Sequence, residues 1–417
     1  MNRFFAPPVA VGLNLAALFL ILAVLIATPI RSQIFAALLM LYAIGYLIAN
    51  RATLRITRFD WAVVGLLTLY LLSHLPVFVL SGYSSRYLSP GFHMLAMVPI
   101  YLMLRHLVGP LELPRFRHWL EWGVIVGNLG AFVLGMYQLA WLGERRIEGF
   151  LFSINFGYLS CAMGFLALAL VRGSARKGWL LAAGIAVLIA CVMTLSRGAI
   201  LAIPVLLVLL LALNVDRLGW KLPVGVVASL VGLSLLAYGT VAAIQERVHY
   251  SIEEVVNLAQ GNVGAAVSSG GRLQLWKAAS HAFAERPLVG LTYDEREAQI
   301  DALIEQGELT KWVGKVSRGH AHSQYFEMAA TGGVLGLIAL VGFLVVPGVY
   351  QLRLYLRDRS NDYALTAVLF TSGFAIYSLT EVAIDHELMV TFYAYMQVTL
   401  LVLAVQHSRV GLGRHAQ

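Results

Sequence analysis

Residues 178–214 read GWLLAAGIAVLIACVMTLSRGAILAIPVLLVLLLALN, a run in which Arg197 is the one charged side chain. A helix needs about 20 mostly apolar residues to cross a lipid bilayer, so this run is long enough to cross twice. Ser196-Arg197-Gly198 lies near its middle and predicts a tight polar turn between two spanning helices, 178–195 and 197–214. The stretch is typical of a protein that crosses a membrane repeatedly.

The whole chain has the same apolar character. Of its 417 residues, 59% are hydrophobic and only 12% are charged, and the mean hydropathy is +0.77. Soluble proteins carry about 25% charged residues, so this chain has too little polar surface for a cytosolic enzyme or a disordered regulator. Cys161 and Cys191 lie in apolar stretches and form neither a disulfide framework nor a metal-ligand motif. The net charge of +8 is explained by cationic cytoplasmic loops and does not indicate nucleic acid.

Apolar runs of spanning length recur along the chain and predict an all-α polytopic membrane protein with about 12 transmembrane helices. The predicted spans are 9–28, 33–50, 61–81, 91–107, 119–142, 153–171, 178–195, 197–214, 222–244, 323–346, 363–380 and 388–407. His74 and His93 lie inside spans, and we expect them to be packed and hydrogen-bonded, although intramembrane histidines also mark ion pathways.

The arginines and lysines of the short connections indicate the orientation. With the N-terminus inside, most of them lie on the cytoplasmic side, as the positive-inside rule requires. Both termini are therefore predicted to be cytoplasmic. A smaller set of outer cations needs another explanation, and its members are Arg31, Arg86, Arg145, Arg146 and Arg197.

The one sizeable polar segment divides the chain into three parts. Residues 1–244 carry spans one to nine, residues 245–321 form a helical periplasmic loop, and residues 322–417 carry spans ten to twelve and a cytoplasmic tail. Side chains predicted to pack this loop onto the membrane surface as a lid are Trp276, Phe283, Leu288 and Trp312. A purely structural cap fits the same pattern.

Three short helices are predicted inside the polar segment. Ser251-Ile-Glu-Glu254 and Thr292-Tyr-Asp-Glu295 each have the spacing of a capping box and predict helix starts. Between them, a helix beginning near Arg272 is expected to stop before Pro287.

Outer arginines form the first group of candidate site residues. Arg197 lies at the turn between two spans, and Arg272 lies at a predicted helix start, where free backbone N–H groups favour an anion. Guanidinium groups bind phosphate oxygens in pairs, so convergence of these two with Arg146 and Arg86 would make a pyrophosphate site. The alternative is that each arginine snorkels to the interface or pairs with a nearby carboxylate.

A pair of histidines precedes the tenth span in Arg318-Gly-His-Ala-His322. On an extended segment His320 and His322 share one face. The pair is compatible with zinc, but the sequence offers no clear third ligand. Proton abstraction suits a histidine beside a cationic cavity better, because neighbouring arginines favour the neutral, basic imidazole.

Acidic residues in the last outer loop form a further group. Glu381 and Asp385 are candidates for the acceptor side of a site, with His320 beside them. A solvated loop explains the same residues.

Several segments together resemble the signature blocks of the O-antigen ligase/polymerase superfamily. They cover roughly residues 145–340 in the expected order, with the long outer loop in the expected place. The segments are Arg146-Ile-Glu-Gly149, Asn155-Phe156, Ser196-Arg197-Gly198-Ala199, Gly271-Arg272-Leu273-x-x-Trp276, Pro287-Leu-Val-Gly290 and Ala321-His322 through Gly332-Gly-Val-Leu-Gly336. His322 rather than His320 aligns with the family histidine, and Ser323 stands where the family usually has Asn.

The resemblance implies a GT-C-like glycosyltransferase in the bacterial inner membrane that works at the periplasmic face. Such enzymes transfer a glycan from undecaprenyl pyrophosphate to an acceptor without a metal or other cofactor, and they invert the anomeric centre. Arg197 and Arg272, helped by Arg146 and Arg86, would bind the pyrophosphate. His322 would activate the acceptor hydroxyl.

The compact chain most resembles the O-antigen ligases, whose acceptor is lipid A–core. An O-antigen polymerase and a protein O-glycosyltransferase are the alternatives within the superfamily. A transporter is a further alternative, but it predicts ionisable residues near the bilayer midplane, whereas the charge here collects at the outer rim.

Overall fold

The computed structural model describes residues 3–316 and 319–415, and in these residues every regular element is helical. The α-helices are α1 Pro7–Ala23, α2 Pro29–Ala49, α3 Arg58–Leu80, α4 Ser89–Leu95, α5 Met97–Leu107, α6 Leu113–Ala140, α7 Ser153–Leu170, α8 Lys177–Met193, α9 Arg197–Leu213, α10 Val215–Leu218, α11 Lys221–Thr240, α12 Ala242–Ala259, α13 Ser269–Glu285, α14 Tyr293–Glu305, α15 Lys311–Val316, α16 Gln324–Leu340, α17 Val346–Arg357, α18 Asp362–Tyr377 and α19 Glu387–His415. A π-helical turn, Val341–Val345, joins α16 to α17.

Each predicted span has a helical counterpart. Within the described residues, seven helical stretches are long and apolar enough to cross a membrane, judged by length and composition. They are α2, α3, α6, α7, Pro223–Thr240 of α11, Gln324–Arg357 and Glu387–Val410. The other predicted spans form shorter or interrupted helices, namely α1, α4 with α5, α8, α9 and α18. The chain is a polytopic helical membrane protein.

The predicted span 91–107 is interrupted at Ala96, between α4 and α5. Pro99 lies three residues further on and has no N–H to donate to the carbonyl of Leu95. The missing hydrogen bond accounts for the break. His93 in α4 hydrogen-bonds Thr391, and the buried His74 stacks on Tyr70, so both intramembrane histidines are packed, as predicted.

The core of the bundle lies around α7, α18 and α19. The spanning window of α19 is buried throughout, and most of α7 is buried as well. The window of α11 has no buried residue, which places this helix at the periphery. Small residues such as Gly157 and Ala199 allow α7 and α9 to approach closely, as is usual between membrane helices.

Charged residues at one end of the bundle form a partly buried network. Arg117 bridges Glu121 and Asp362, Arg172 also reaches Asp362, and Arg176 binds Glu121. The charge pattern of the sequence predicts that the loops next to these arginines face the cytoplasm. The polar helices α12–α15 pack at the other end, which we call the loop end.

Helix α16 is interrupted at Gly333, and a loop from the polar segment fills the gap. Gly333 has φ +58°, and its missing side chain leaves room for the backbone of Pro287 and Leu288. Leu291 N–H donates to the carbonyl of Ala330 at 2.8 Å, and Val334 N–H donates to the carbonyl of Pro287 at 2.7 Å. These bonds satisfy backbone groups that the interruption would otherwise leave unpaired.

One of the two predicted capping boxes is confirmed. Thr292 caps α14 and exchanges hydrogen bonds with Glu295. The box at Ser251 is wrong, because α12 begins at Ala242 and the Ser251 hydroxyl donates to the carbonyl of Arg247 inside the helix. No Pro or Gly interrupts residues 242–259, so the helix continues upstream of the apparent cap.

Two contacts attach the polar segment to α16. Trp276 stacks on Phe326 with ring centroids 5.0 Å apart, as its predicted packing role requires. Arg296 of α14 binds both carboxylate oxygens of Glu327 at 2.6 and 3.0 Å, and both side chains are buried. Leu288 and Trp312, by contrast, are largely exposed.

Replacing Arg296 with Met is expected to destabilise the protein strongly. The substitution leaves Glu327 charged, buried and without its partner, which costs about 3–5 kcal/mol in comparable sites. The measurement is thermal unfolding of the purified protein in detergent. Arg286→Ala is the matched control, because Arg286 also binds both oxygens of a carboxylate, that of Glu295, but on an exposed surface. Equal melting temperatures for the two variants would contradict a structural role for the buried pair.

Candidate functional site

Arg197 lies at the first position of α9, directly after a strained turn. Leu195 adopts φ +53°, a left-handed conformation that a branched residue rarely takes, and Ser196 precedes the helix. Gly198 faces the hydroxyl groups of Tyr158 and Thr380, where a side chain would collide. The turn therefore places a guanidinium group and the positive end of a helix at the loop end of the bundle.

Arg197 and Arg272 meet at one serine. Arg197 donates to Ser268 Oγ at 2.6 Å, and Arg272 donates to the same oxygen at 3.3 Å. Arg272 belongs to the first turn of α13, so a second helix start lies beside the first. The structure thus brings together the two arginines to which the sequence gives most weight.

Glu254 of α12 holds this arrangement in place. It binds Arg197 at 2.5 Å and accepts hydrogen bonds from the Ser268 N–H and from the hydroxyl groups of Ser269 and Tyr250. Burial alone would raise its pKa, but Arg197 and the hydrogen bonds outweigh burial and lower the pKa of Glu254 to about 2. The carboxylate is therefore ionised, and it positions Arg197.

Arg247 is a third cation at this site, and the sequence analysis missed it. The guanidinium groups of Arg197 and Arg247 lie 5.6 and 5.4 Å from the ring centroid of Tyr250. Burial lowers the pKa of Arg247, and the charge of Arg197 lowers it further. Its spacing could have indicated it: Arg247 lies three residues before Tyr250 and seven before Glu254, which puts all three side chains on one face of α12.

We call Arg197, Arg247, Arg272 and Glu254 the arginine cluster. An open cleft of about 540 Å³ adjoins it, and its lining includes Arg145, Leu195, Arg247 and Tyr250. The Nε atoms of Arg247 and Arg272 are buried and have no hydrogen-bond partner within the described residues. The cluster therefore has an excess of positive charge and N–H donors without a partner among the described residues, which are the properties of an anion site.

The other two predicted phosphate-binding arginines make other contacts, although the charge of Arg146 reaches the cluster and adds to burial in lowering the pKa of Arg247. Arg146 forms an exposed ion pair with Glu148 at 2.8 Å. Arg86 donates to the carbonyl of Gly319 and lies 4.4 Å above the ring of Tyr293. The structure does not bring Arg86 to Arg197, because Arg86 instead fastens the segment that leads to the histidines.

His322 faces a carboxylate. Its Nδ1 atom lies 3.4 Å from both oxygens of Glu381, and His320 Nδ1 lies 3.9 Å from one of them. Burial alone would raise the pKa of Glu381, but both histidines and the Val382 N–H hold it below its usual range. Burial also lowers the pKa of His320, assisted by His322. These three side chains form what we call the histidine–glutamate group.

The backbone at His322 is strained. Its φ of +49° is left-handed, a conformation that costs a non-glycine residue about 1–3 kcal/mol. The Ala321 N–H donates to buried Glu327 at 2.7 Å, and the Ser323 hydroxyl donates to the carbonyl of Ser378, so neighbours on both sides hold the turn. Within the described residues, only Tyr83, Leu195 and His322 have positive φ without being glycine, and two of these lie beside candidate site residues.

The arginine cluster and the histidine–glutamate group adjoin each other through Tyr158. Its hydroxyl is 2.8 Å from that of Thr380, the residue before Glu381, and both hydroxyls border Gly198. Arg272 and Glu381 both act on Tyr158 electrostatically. Buried Tyr158 thus lies between the two groups at the loop end.

Asp385 lies in a different, buried pocket. Tyr70 and Gln324 donate hydrogen bonds to its Oδ1 at 2.8 and 3.2 Å, and Arg86 also lines this pocket. Burial raises the pKa of Asp385 to about 6, and the charge of Glu327 contributes to the shift. The predicted acceptor-side pair is therefore separated, with Glu381 beside His322 and Asp385 below it in the protein.

Glu381 is a possible third metal ligand beside His320 and His322, and the sequence did not reveal it. The possible ligand atoms of the histidine–glutamate group lie within 4.8 Å of one another, the one such trio among residues 3–316 and 319–415. Glu381 is 59 positions from His322, so no local motif could have indicated it. Arg318 of the same sequence motif lies outside the described residues.

Fold and site define a polytopic helical membrane protein with a cationic, histidine-bearing surface at one end. Residues 182–341 match the family model described as O-antigen ligase. This matched segment, which spans fewer than half of the chain's residues, is similar to that family and includes all four members of the arginine cluster and His322. No curated protein matches the chain in sequence.

Proposed function

We propose that this protein is an O-antigen ligase. It transfers O-antigen polysaccharide from undecaprenyl pyrophosphate to lipid A–core at the periplasmic face of the bacterial inner membrane. The observation that carries the proposal is the arginine cluster, which lies inside the segment that matches the family model and adjoins the histidine–glutamate group. The pairing supplies both an anion site and a base.

The arginine cluster has the charge that the leaving group needs. Three guanidinium groups against the single carboxylate of Glu254 leave two positive charges unbalanced, and a lipid-linked pyrophosphate carries one negative charge on each phosphate. The starts of α9 and α13 add further positive potential. Preorganised cations stabilise the charge that develops as the pyrophosphate departs, so the transfer needs no metal ion.

His322 activates the acceptor. The carboxylate of Glu381 beside Nδ1 favours the tautomer with its proton on that nitrogen, which makes Nε2 the basic atom. As the acceptor oxygen bonds to the anomeric carbon, its proton passes to His322. The bond from that carbon to the pyrophosphate oxygen breaks, and its electron pair leaves with undecaprenyl pyrophosphate. In-line displacement of this kind inverts the anomeric centre.

The proposed orientation puts the loop end in the periplasm and both termini in the cytoplasm. The arginine-rich network of Arg117, Arg172 and Arg176 then lies on the cytoplasmic side, as the positive-inside rule favours. The arginine cluster is the exception to that rule, and binding of the donor pyrophosphate accounts for it.

The lipopolysaccharide of a deletion strain tests this function. We expect loss of the O-antigen ladder on gels, with long polymer accumulating on undecaprenyl pyrophosphate, and restoration of the ladder by the wild-type gene. Core carrying a single repeat would instead establish a polymerase. An unchanged ladder would contradict both reactions and favour a protein glycosyltransferase or a transporter.

A further inference from the structure

Besides acting as a base, the histidine–glutamate group has the geometry of an inhibitory metal site. We infer that His320, His322 and Glu381 bind one Zn²⁺ ion, and that the bound ion stops glycan transfer. Zinc binding depends only on the observed geometry, whereas the inhibition rests on the proposed function.

The distances between ligand atoms are close to those of a zinc centre. Zinc bonds of about 2.0–2.1 Å at tetrahedral angles place two ligand atoms about 3.3–3.4 Å apart. His322 Nδ1 and Glu381 Oε1 are already 3.4 Å apart, and His320 Nδ1 is 3.9 Å from the same oxygen. Small side-chain rotations complete the site, since all ligand atoms lie within 4.8 Å of one another.

The local backbone holds the two histidines on one side. The left-handed turn at His322 brings the imidazole centroids to 4.2 Å, and the His322 N–H donates to His320 Nδ1 at 3.3 Å. A nitrogen that accepts a hydrogen bond carries a lone pair, so His320 Nδ1 is in the form that a metal requires. The fold already holds His322 in its strained left-handed conformation, so zinc binding does not have to provide the energy of that strain.

The donor set selects zinc over magnesium. Two imidazoles and one carboxylate suit Zn²⁺ and leave its fourth position to water, whereas Mg²⁺ prefers six oxygen ligands. All three side chains are partly exposed, so an ion can reach them without unfolding the loop. Coordination through His322 Nδ1 requires the ring proton to be on Nε2, the opposite of the tautomer that serves as base, so the bound ion removes the basic atom and adds a fixed positive charge.

The test is calorimetric titration of the full-length protein in detergent with Zn²⁺ alone, and then with Mg²⁺. We expect one Zn²⁺ per chain, no Mg²⁺ binding, and a dissociation constant at least about tenfold weaker in His320→Ala, because loss of a direct ligand costs at least as much as loss of an outer partner. His281→Ala is the matched control, since His281 also lies near a carboxylate, that of Glu308, but has no second histidine beside it. Absence of saturable Zn²⁺ binding, or equal affinity in His320→Ala and wild type, would overturn the site.

Transfer assays test the second half of the inference. For each variant, the Zn²⁺ concentration that halves its own metal-free rate is measured, so that any loss of basal activity cancels. We expect this concentration to rise at least about tenfold in His320→Ala and to stay unchanged in His281→Ala. A site that binds Zn²⁺ while transfer continues would overturn the inhibition and also contradict the role of His322 as base. A protein that binds Zn²⁺ but transfers no O-antigen would contradict only the proposed function.

Discussion

Arg272→Ala and Arg197→Ala are each expected to lower the transfer rate about 10²–10³-fold, the usual cost of removing one preorganised donor from a developing oxyanion. The two differ in their structural consequences. Arg197 is the ion-pair partner of buried Glu254, so its loss also leaves that carboxylate without a cation beside it. Arg272 donates to Ser268 within the cluster, and its removal strands no carboxylate there. A loss of activity in Arg272→Ala is therefore attributable to the missing cation.

The measurement is transfer by purified protein from lipid-linked O-antigen to lipid A–core, with thermal unfolding of each variant in parallel. Lys277→Ala is the control, because Lys277 is a cation on the same helix whose exposed ion pair with Glu308 lies away from Ser268. Arg197→Lys keeps the charge but loses the planar guanidinium, whose N–H donors bind phosphate oxygens in pairs. We expect its rate to lie between those of the wild type and Arg197→Ala. A folded Arg272→Ala protein with the wild-type rate would exclude the arginine cluster from leaving-group binding.

His322→Asn is expected to reduce the turnover rate about 10²–10⁴-fold, the contribution of a positioned general base. Asn is the substitution of choice, because it accepts the left-handed backbone that His322 adopts better than most residues do. The variant should therefore unfold at a temperature close to that of the wild type, and the loss should appear in kcat. His281→Asn provides the same chemical change on an exposed surface and should keep full activity.

Glu381→Gln separates a positioning role from a catalytic one. Gln can still bind the His322 ring but cannot favour its basic tautomer by charge, so we expect a smaller loss than in His322→Asn. Full activity in a folded His322→Asn protein would disprove the base mechanism. Equal losses in the two variants would show that the pair acts as a unit.

Local patterns predicted those site residues whose positions follow from a helix start. Arg197 and Arg272 were recognisable because each was predicted to lie at a helix start in an outer segment, and the structure places them at one serine. Glu254 was interpreted as half of a capping box, whereas its partner Arg197 is 57 positions away. No pattern within a few residues can encode such a contact.

Depth within the protein was the second property that the sequence could not provide. Arg86 and Asp385 were predicted to lie in outer loops, and the structure places both at a pocket that Arg296 and Glu327 also line. Asp385 and Glu381 lie four positions apart in one loop, so the composition of the loop could not separate their roles. The buried pair of Arg296 and Glu327 joins residues 31 positions apart, and Glu327 also accepts the Ala321 N–H next to His322.

The interruption of α16 at Gly333 has a consequence for biogenesis. Backbone groups opened in a spanning helix cannot remain unpaired in hydrocarbon, and here residues 287–291 supply their partners. The ribosome synthesises residues 287–291 before it synthesises α16, whose backbone groups they pair with. The backbone pairing of this span is therefore complete only when the polar segment, which is synthesised earlier, has docked on it.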